Sequence, residues 1–309
     1  APDRIDFRRL ALGFYVPLML ISLWAMAQRT GLIGTLFYQV GNSDFEQYFI
    51  PQVRRAFGPF DSPNYLAMYL VPVFFFSWPF WLSLKKKIIK IIVALSFLLP
   101  MAALYFSASR GGALAFLLGF LFFLLFWSIK RKKRLLFFVS IGLILISLIG
   151  AYSIGMAGTG ERSASNNARI KIYNYSRELV EKNWLKGVGL GGYHEAISRI
   201  SKPDQAFRQF GLPSALHPHN LFLAMWLNLG LLGLISFCAL SAVFFRRLMK
   251  YLVAEKNVLP LLCAGAAMIS ILVHGLVDTT YFKNDLSAIF WLTFAIPFLH
   301  KNIDEKVSQ

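Results

Sequence analysis

Long apolar runs are the feature that most limits what this chain can fold into. Apolar stretches of about 18 or more residues recur along all 309 residues, and a stretch of this length can cross the hydrocarbon core of a bilayer as one helix. About eight such spans are predicted, at about 10–27, 64–82, 88–107, 112–129, 135–154, 220–245, 258–278 and 284–300. The mean hydropathy of +0.56 excludes an ordinary soluble domain. We therefore expect an all-α, polytopic membrane protein, with residues 1–309 forming a single integral membrane domain.

The net charge of +17 is explained by membrane topology. Basic clusters lie at every second boundary between predicted spans, at 4–9, 85–90, 130–134, 246–256 and 301–306. Lys and Arg are retained on the cytoplasmic side of membrane proteins. Both termini are therefore predicted to be cytoplasmic, with outside segments at 28–63, 108–111, 155–219 and 279–283. This pattern argues against a nucleic-acid partner.

Two outside segments, 28–63 and 155–219, are long enough to suggest function. In the second, Ser165, Asn166 and Asn167 are candidate caps for a helix on which Ile172, Tyr175 and Leu179 recur at helical spacing. A second stripe on this helix contains Arg169, Tyr173 and Arg177. We expect an amphipathic helix along the membrane surface, apolar side down, with its arginines facing a cavity. A solvated basic face is the alternative.

A glycine-rich stretch, GVGLGGY at 187–193, matches the spacing G-x-G-x-x-G. A dinucleotide site is rejected because no strand precedes it and no βαβ unit surrounds it. The glycines more simply allow the backbone to turn sharply and to approach another segment closely.

Arg110 lies in a very short outside turn, SASRGG. A charged group at such a depth indicates function, although an arginine can also extend toward lipid headgroups. Gly111, Ala115 and Gly119 follow at intervals of four and form a small-residue face that lets helices pack closely. Arg110 should therefore begin a tightly packed helix.

Histidines occur where predicted spans meet the outside. His219 precedes an apolar run in which Gly230 and Gly233 share its helical face, so another helix is expected to approach there. The imidazole group can accept and return a proton near neutral pH. His217 and His219 could form half of a metal site, but no further ligand is evident, and the two cysteines lie inside predicted spans. No metal and no cofactor are predicted.

His274 and Asp278 also occur near the outer end of a predicted span. At this spacing of four they could pair as helical neighbours, for structure or for catalysis.

Four stretches together resemble the O-antigen ligase and O-antigen polymerase family of bacterial membrane proteins. They are GPFDSPNYLAMYLVP, SASRGGALAF, NARIKIYNYSRELVEKNWLKGVGLGGY and HNLFLAMWLNLGLLG, and they occur in that order between about residues 57 and 235. The family usually has ten to twelve spans and a fold similar to the GT-C glycosyltransferases. The resemblance therefore leaves room for further spans before residue 1. Some members have an acid where this chain has Asn228.

The resemblance implies transfer of a glycan from an undecaprenyl-diphosphate carrier to an acceptor sugar hydroxyl, at the outer side of the inner membrane. His219 would be the general base, supported by Asn220, while Arg110 and Arg169 would bind the diphosphate. The weaker substrate-binding candidates are His217, Arg162 and Arg177. The site is expected in a cavity between the third, fourth and sixth spans, covered by residues 155–219.

Three alternatives stay open. A polymerase would use the same donor chemistry and extend a lipid-linked chain, whereas a ligase would use lipid A-core as acceptor. A transporter or flippase of lipid-linked glycans would need the same cations but no base. An assembly scaffold would need none of these polar residues.

Overall fold

The fold is helical throughout the part of the chain that the computed structural model describes, namely residues 5–33, 55–139, 141–143, 161–205, 207, 215–255, 258–299 and 303–304. The helices are α1 (Phe7–Arg29), α2 (Pro63–Leu82), α3 (Lys87–Ser96), α4 (Leu98–Ser107), α5 (Arg110–Lys130), α6 (Glu161–Asn183), α7 (Tyr193–Ile200), α8 (Leu221–Ala254), α9 (Leu259–Gly275) and α10 (Asn284–Leu299). Two residues at each end pair in parallel, β1 (Ile5–Asp6) with β2 (Ile303–Asp304).

Five helical segments in the described residues are long and apolar enough to cross a membrane: Phe7–Arg29, Pro63–Leu82, Lys87–Ser107, Arg110–Lys130 and Leu221–Ala254. The apolar helices α9 and α10 are shorter, with 17 and 16 residues. Of the predicted span 135–154, the structure describes only the short helix Arg134–Leu143, and the rest lies outside the described residues. The protein is therefore a polytopic helical membrane protein.

The predicted span 88–107 consists of two helices, α3 and α4, that meet at Phe97. Pro100 explains the break, because proline has no N–H to donate to the carbonyl of Ser96 four residues earlier. The two helices still form one segment of 21 residues.

Helix α9 is the centre of the bundle, and it packs against α2, α5, α8 and α10. Its small residues allow close approach: a Cβ added to Gly119 of α5 would lie 2.7 Å from the Ala266 carbonyl oxygen. A Cβ on Gly265 would likewise lie 2.3 Å from the Phe122 ring. The predicted small-residue face of α5 is confirmed, since Ala115 is fully buried and Gly119 contacts α9.

The helix ends form two groups, as the charge pattern predicted. At one end, Lys130 Nζ donates to the carbonyl oxygens of Val253 and Glu255, each at 2.9 Å, and Arg247 Nε donates to the carbonyl oxygen of Pro297 at 3.1 Å. We call this the basic end, and it contains 85–90, 130–134 and 246–250.

The opposite end, which we call the polar end, contains the starts of α2, α5 and α8 and the turn after α9. Asn64 Nδ2 donates to Asp278 at 3.0 Å, and Asn220 Nδ2 donates to the Leu276 carbonyl oxygen at 3.0 Å. These two bonds join α2 and α8 to the same turn.

A second, smaller core lies outside the bundle. Ile172 and Leu179 of α6 pack with Tyr193 and Ile197 of α7 and with Leu227 of α8. The apolar side of α6 therefore faces this core and not the membrane, whereas the placement of α6 along the membrane surface stays a prediction. Amphipathic periodicity identifies an apolar face but not what covers it.

Helix α6 also begins earlier than its sequence indicated. It starts at Glu161, so Ser165, Asn166 and Asn167 lie inside the helix and do not cap it. A capping residue contributes only about 1 kcal/mol, and its local preference did not set this boundary.

Candidate active site

The start of α8 presents a histidine in an unusual backbone conformation. His219 has a φ of 46°, in the left-handed region that non-glycine residues seldom adopt. Asn220 follows as the N-cap: its Oδ1 accepts from Leu223 N at 2.9 Å, and its Nδ2 donates to Leu276 O. The sequence predicts that Asn220 supports the base and binds substrate. In the structure, Asn220 joins α8 to the turn after α9 and thereby fixes the position of His219.

His219 faces a buried carboxylate that the sequence did not assign to the site. Its Nδ1 lies 3.6 Å from Asp278 Oδ1, and His217 Nε2 lies 3.8 Å from the same oxygen. The side chain of Asp278 is only 4% exposed and that of His219 only 15%. At these separations a small shift completes a hydrogen bond from either imidazole to the carboxylate.

The hydrogen bonds assign the proton of His217. The backbone N–H of His219 donates to His217 Nδ1 at 3.3 Å, so in neutral His217 the proton lies on Nε2, directed at Asp278. A metal site is the other arrangement to consider, because one possible ligand atom from each of His217, His219 and Asp278 lies within 4.8 Å of the other two. A protonated Nε2 has no lone pair for a metal, so this hydrogen bond would have to break before an ion could bind.

Two further donors hold Asp278. Asn64 Nδ2 donates to its Oδ2 at 3.0 Å, and the backbone N–H of Thr279 donates to its Oδ1 at 2.9 Å. Burial raises the pKa of Asp278, but the close approach of His219 and the surrounding histidines outweigh burial and lower it. Asp278 is therefore a fixed negative charge beside His219.

His217 remains uncharged near neutral pH. Burial, followed by the neighbouring His219, lowers the pKa of His217 to about 4 against the opposing effect of Asp278. The two rings meet edge to face, with their centroids 4.3 Å apart. His217 thus packs and orients the second histidine and does not compete with it for a proton at neutral pH.

Helix α6 adds a tyrosine and an arginine to this group. Tyr173 donates its hydroxyl to the His219 carbonyl oxygen at 2.9 Å. Burial raises the pKa of Tyr173, and the charge of Arg169 opposes that increase. The same charge also acts on His274, so Arg169 lies in the neighbourhood of both residues. Tyr173 of the stripe contacts the His219 backbone, while the facing of its arginines into a cavity stays a prediction.

Arg110 lies beside the same cluster. It is the first residue of α5, after the N-cap Ser109, whose Oγ accepts from Gly112 N at 3.2 Å. Gly111 packs on the His274 ring, since an added Cβ would lie 2.9 Å from His274 Cδ2. The Arg110 side chain is exposed and has no hydrogen bond or ion pair to another residue in the described ranges, so its guanidinium can bind a ligand.

The structure does not bring the weaker candidate Arg177 to the site. Arg177 is exposed and pairs with Glu181, 2.9 Å away on the same helix, as expected for a solvated face. Arg162 lies in α6, but its side chain falls outside what the structure describes.

The pairing of His274 with Asp278 as helical neighbours is wrong. Helix α9 ends at Gly275, so Asp278 lies in the following turn and its carboxylate faces His219. His274 is buried, and its Nδ1 has no hydrogen-bond partner among the described residues.

The glycine-rich stretch makes the close backbone approach that its sequence predicted, and its partner is α8. Val188 N donates to Leu227 O at 2.6 Å, and Leu231 N donates to Leu185 O at 3.1 Å. These bonds satisfy α8 backbone groups at Gly230, where a φ of 72° breaks the helix. A Cβ on Gly187 would lie 2.4 Å from Leu227 O.

This contact corrects the interpretation of the glycine face on α8. The loop 185–188, not a helix, approaches Gly230. A Cβ on Gly233 would meet only the side chain of Leu229 in its own helix. Helical spacing alone cannot distinguish a packing face from a break.

Sequence reasoning did not assign Asp278 and Asn64 to the site. Asn64 lies inside the stretch GPFDSPNYLAMYLVP, and the spacing of Asp278 suggests only a pairing with His274. Their shared signal was a polar residue at the outer edge of a predicted span. The predicted location between the third, fourth and sixth spans omitted the second and seventh, which supply these two residues.

Fold and site together define a polytopic helical membrane protein in which a partly buried histidine faces a buried aspartate, near cationic groups, at one end of the bundle. Residues 95–238 match the family model described as O-antigen ligase, and this confirms the resemblance seen in the sequence. The match implies activity of the O-antigen ligase or polymerase type. No curated protein matches the chain.

The matched segment contains α4 to α7 and the first part of α8, and with them Arg110, Arg169, His217, His219 and Asn220. Asn64 and Asp278 lie outside it. His219, inside the matched segment, therefore faces a buried carboxylate, Asp278, that lies outside this segment.

Proposed function

We propose that the protein is an O-antigen ligase-like glycosyltransferase that moves a glycan from undecaprenyl diphosphate to an acceptor hydroxyl, without a metal. The observation that carries the proposal is the His219 imidazole held against the buried Asp278 carboxylate, beside Arg110 and Arg169. The fold would be of the GT-C kind, and the protein would be a multi-pass protein of the bacterial inner membrane with its polar end outward. Segments 28–63 and 155–219 would be outer loops of one membrane domain.

Asp278 favours the tautomer of His219 that a base requires. A carboxylate on the Nδ1 side keeps the ring proton there, and this leaves the Nε2 lone pair for the acceptor hydroxyl. When that proton is taken up, the imidazolium lies beside a negative charge. A general base of this kind contributes roughly 10²- to 10⁴-fold in rate.

The arginines suit the leaving group. The acceptor oxygen bonds to the anomeric carbon, the bond from this carbon to the diphosphate oxygen breaks, and the electron pair leaves with the diphosphate. The hydroxyl proton passes to His219 Nε2. Arg110 and Arg169 offset the charge that develops on the diphosphate, since guanidinium groups bind such oxygens bidentately and stay protonated.

The test is a transfer assay on purified protein with lipid-linked donor, run with lipid A-core and with a lipid-linked chain as separate acceptors. His219→Ala should lower transfer by about 10² or more, while the melting temperature stays near that of the parent. Near-parental transfer by this variant would reject the base. Product on the first acceptor identifies a ligase, and product on the second a polymerase.

Two further arms separate the alternatives. Chelation with EDTA should leave transfer unchanged, and loss with rescue by a divalent ion would instead assign His217 and His219 as ligands. Lipid-linked glycan translocation in vesicles is measured in parallel. A transporter is indicated if the parent protein transfers glycan to neither acceptor and His219→Ala translocates the lipid-linked glycan as well as the parent does.

A further inference from the structure

We propose that Asn64 is a positioning residue that holds the Asp278 carboxylate against His219, with Arg55 fixing the orientation of the Asn64 amide. This inference rests on the proposed function and adds a residue that the His–Asp pair alone does not identify. It names a role for the start of α2, which lies outside the matched family segment.

The hydrogen bonds form a chain across separate segments. Arg55 Nη2 donates to Asn64 Oδ1 at 3.4 Å, and Asn64 Nδ2 donates to Asp278 Oδ2 at 3.0 Å. The other oxygen of Asp278, Oδ1, faces His219. One amide therefore connects an arginine of the loop before α2 to the carboxylate that contacts the base.

The donors and acceptors permit only one orientation of the Asn64 amide. A guanidinium only donates and a carboxylate only accepts, so Asn64 must turn its oxygen to Arg55 and its nitrogen to Asp278. Arg55 is itself held, because its Nε donates to the Ser107 carbonyl oxygen at 2.8 Å. The chain thereby fixes one carboxylate oxygen, while the other, which accepts from Thr279 N, faces His219.

The position of Asn64 in its helix gives the test its sign. Ser62 caps α2 and Pro63 begins it, so Asn64 lies in the first turn. A negative charge in the first turn stabilises a helix. An Asn64 that contributed only to the first turn of α2 would accept aspartate without loss. Because Asn64 donates to Asp278, aspartate repels this carboxylate, and a positioning role predicts a loss of kcat larger than any loss of melting temperature explains.

Other groups near His219 could influence the result. His217 lies beside it, Tyr173 and Arg169 approach from α6, and His274 from α9. Lys283 and Asp61 act on His217. None of these is changed by substitutions at Asn64, so they are constant across the series.

The experiment measures kcat and KM of full-length Asn64→Ala and Asn64→Asp in the transfer assay, with melting temperatures. We expect Asn64→Ala to lower kcat about tenfold, as for a lost hydrogen bond to a charged group, and Asn64→Asp to lower it further. KM should change less than about twofold. Asn183→Ala and Asn183→Asp are the matched controls, since Asn183 makes one amide hydrogen bond at the distant end of α6, and both should transfer at the parental rate.

A double-mutant cycle with Asp278→Asn supplies the second readout. Because Asn64 acts through Asp278, Asn64→Ala should add little to the loss in the Asp278→Asn background. Asn64→Asp with parental kcat, or multiplication of the two losses in the cycle, would overturn the proposal. If only the proposal for Asn64 is wrong, His219→Ala still abolishes transfer. If the proposed function is wrong, His219→Ala transfers glycan at near the parental rate.

Discussion

The two ends of the helical bundle both carry charged side chains but use them differently. At the basic end, Lys130 and Arg247 donate to carbonyl oxygens at helix ends, and Lys90 lies over the ring of Trp81. At the polar end, the buried Asp278 carboxylate accepts a hydrogen bond from Asn64 and faces His219. Charges that complete helix ends are dispersed, whereas charges that can perform chemistry are gathered from separate segments.

The difference predicts unequal responses to substitution. Losing one cation at the basic end leaves carbonyl groups that water can reach. Losing one member of the polar end leaves a buried partner unsatisfied, at a cost of about 1–3 kcal/mol or more for a charged group.

The largest expected effect is on Asp278. Asp278→Asn removes the charge that favours the base tautomer and stabilises the imidazolium, so transfer should fall about 10²-fold or more. The measurement is kcat on purified protein, with melting as the check on folding. Asp285→Asn is a useful control, because Asp285 accepts a hydrogen bond from Tyr65, whereas His219 faces Asp278. Equal losses in the two variants would contradict a special role for Asp278.

An intermediate effect is expected for the arginines. Arg110→Lys and Arg169→Lys keep the charge but lose the guanidinium fork, so each should lower transfer by about tenfold or more if the diphosphate is bound bidentately. Arg199→Lys, at an exposed pair with Glu195, is the matched control. Full activity in both test variants would show that charge alone suffices.

A smaller effect, on stability first, is expected at Gly187. Alanine there would bring a Cβ to 2.4 Å from Leu227 O at a φ of 68°. Strain of this kind costs on the order of 1–3 kcal/mol, so Gly187→Ala should lower the melting temperature. Gly189→Ala is the control for the backbone conformation alone, because Gly189 also has a positive φ but nothing within 4 Å. Similar melting of the two variants would mean that contact with α8 is unimportant.

The smallest effect is expected at the basic end. Lys132→Gln and Lys133→Gln remove exposed cations, so transfer by the inserted protein should stay within about twofold of the parent. Insertion is checked by cysteine labelling from outside, which should reach positions in 160–210 but not 130–134 or 246–250. A loss of transfer comparable to that of Asp278→Asn would abolish the distinction between the two ends.

What could be predicted from the sequence follows the same division. The positions of the helices, the alternation of their ends and the small-residue face of α5 depend on the local period of apolar residues and on local charge. A short stretch of sequence is therefore enough to predict them. His219 and Arg110 also stand in short motifs. The contact between Asn64 and Asp278 does not, because the two residues are 214 positions apart and only the packing of α2 against α9 brings them together.

The errors have a common physical origin as well. Three features depend on which surface a segment meets. They are the protein core that covers the apolar side of α6, the loop that contacts the break at Gly230, and the histidine that the Asp278 carboxylate faces. Periodicity gives the apolar side of a helix, but tertiary contacts decide its neighbour. Asp278 in particular was assigned to a helix that ends three residues earlier, where the turn redirects its carboxylate.

The break in α8 at Gly230 has a consequence for the bilayer thickness that this protein can tolerate. After the break, about 15 apolar residues precede Arg246 of the basic end, and this length of roughly 22 Å is less than a hydrocarbon core of about 30 Å. The nine or so residues before the break, roughly 14 Å long, must therefore lie in the bilayer as well. The two parts together match the thickness of the core, so His219 is held where the helix leaves the bilayer, and a thinner or thicker membrane would be accommodated by tilt.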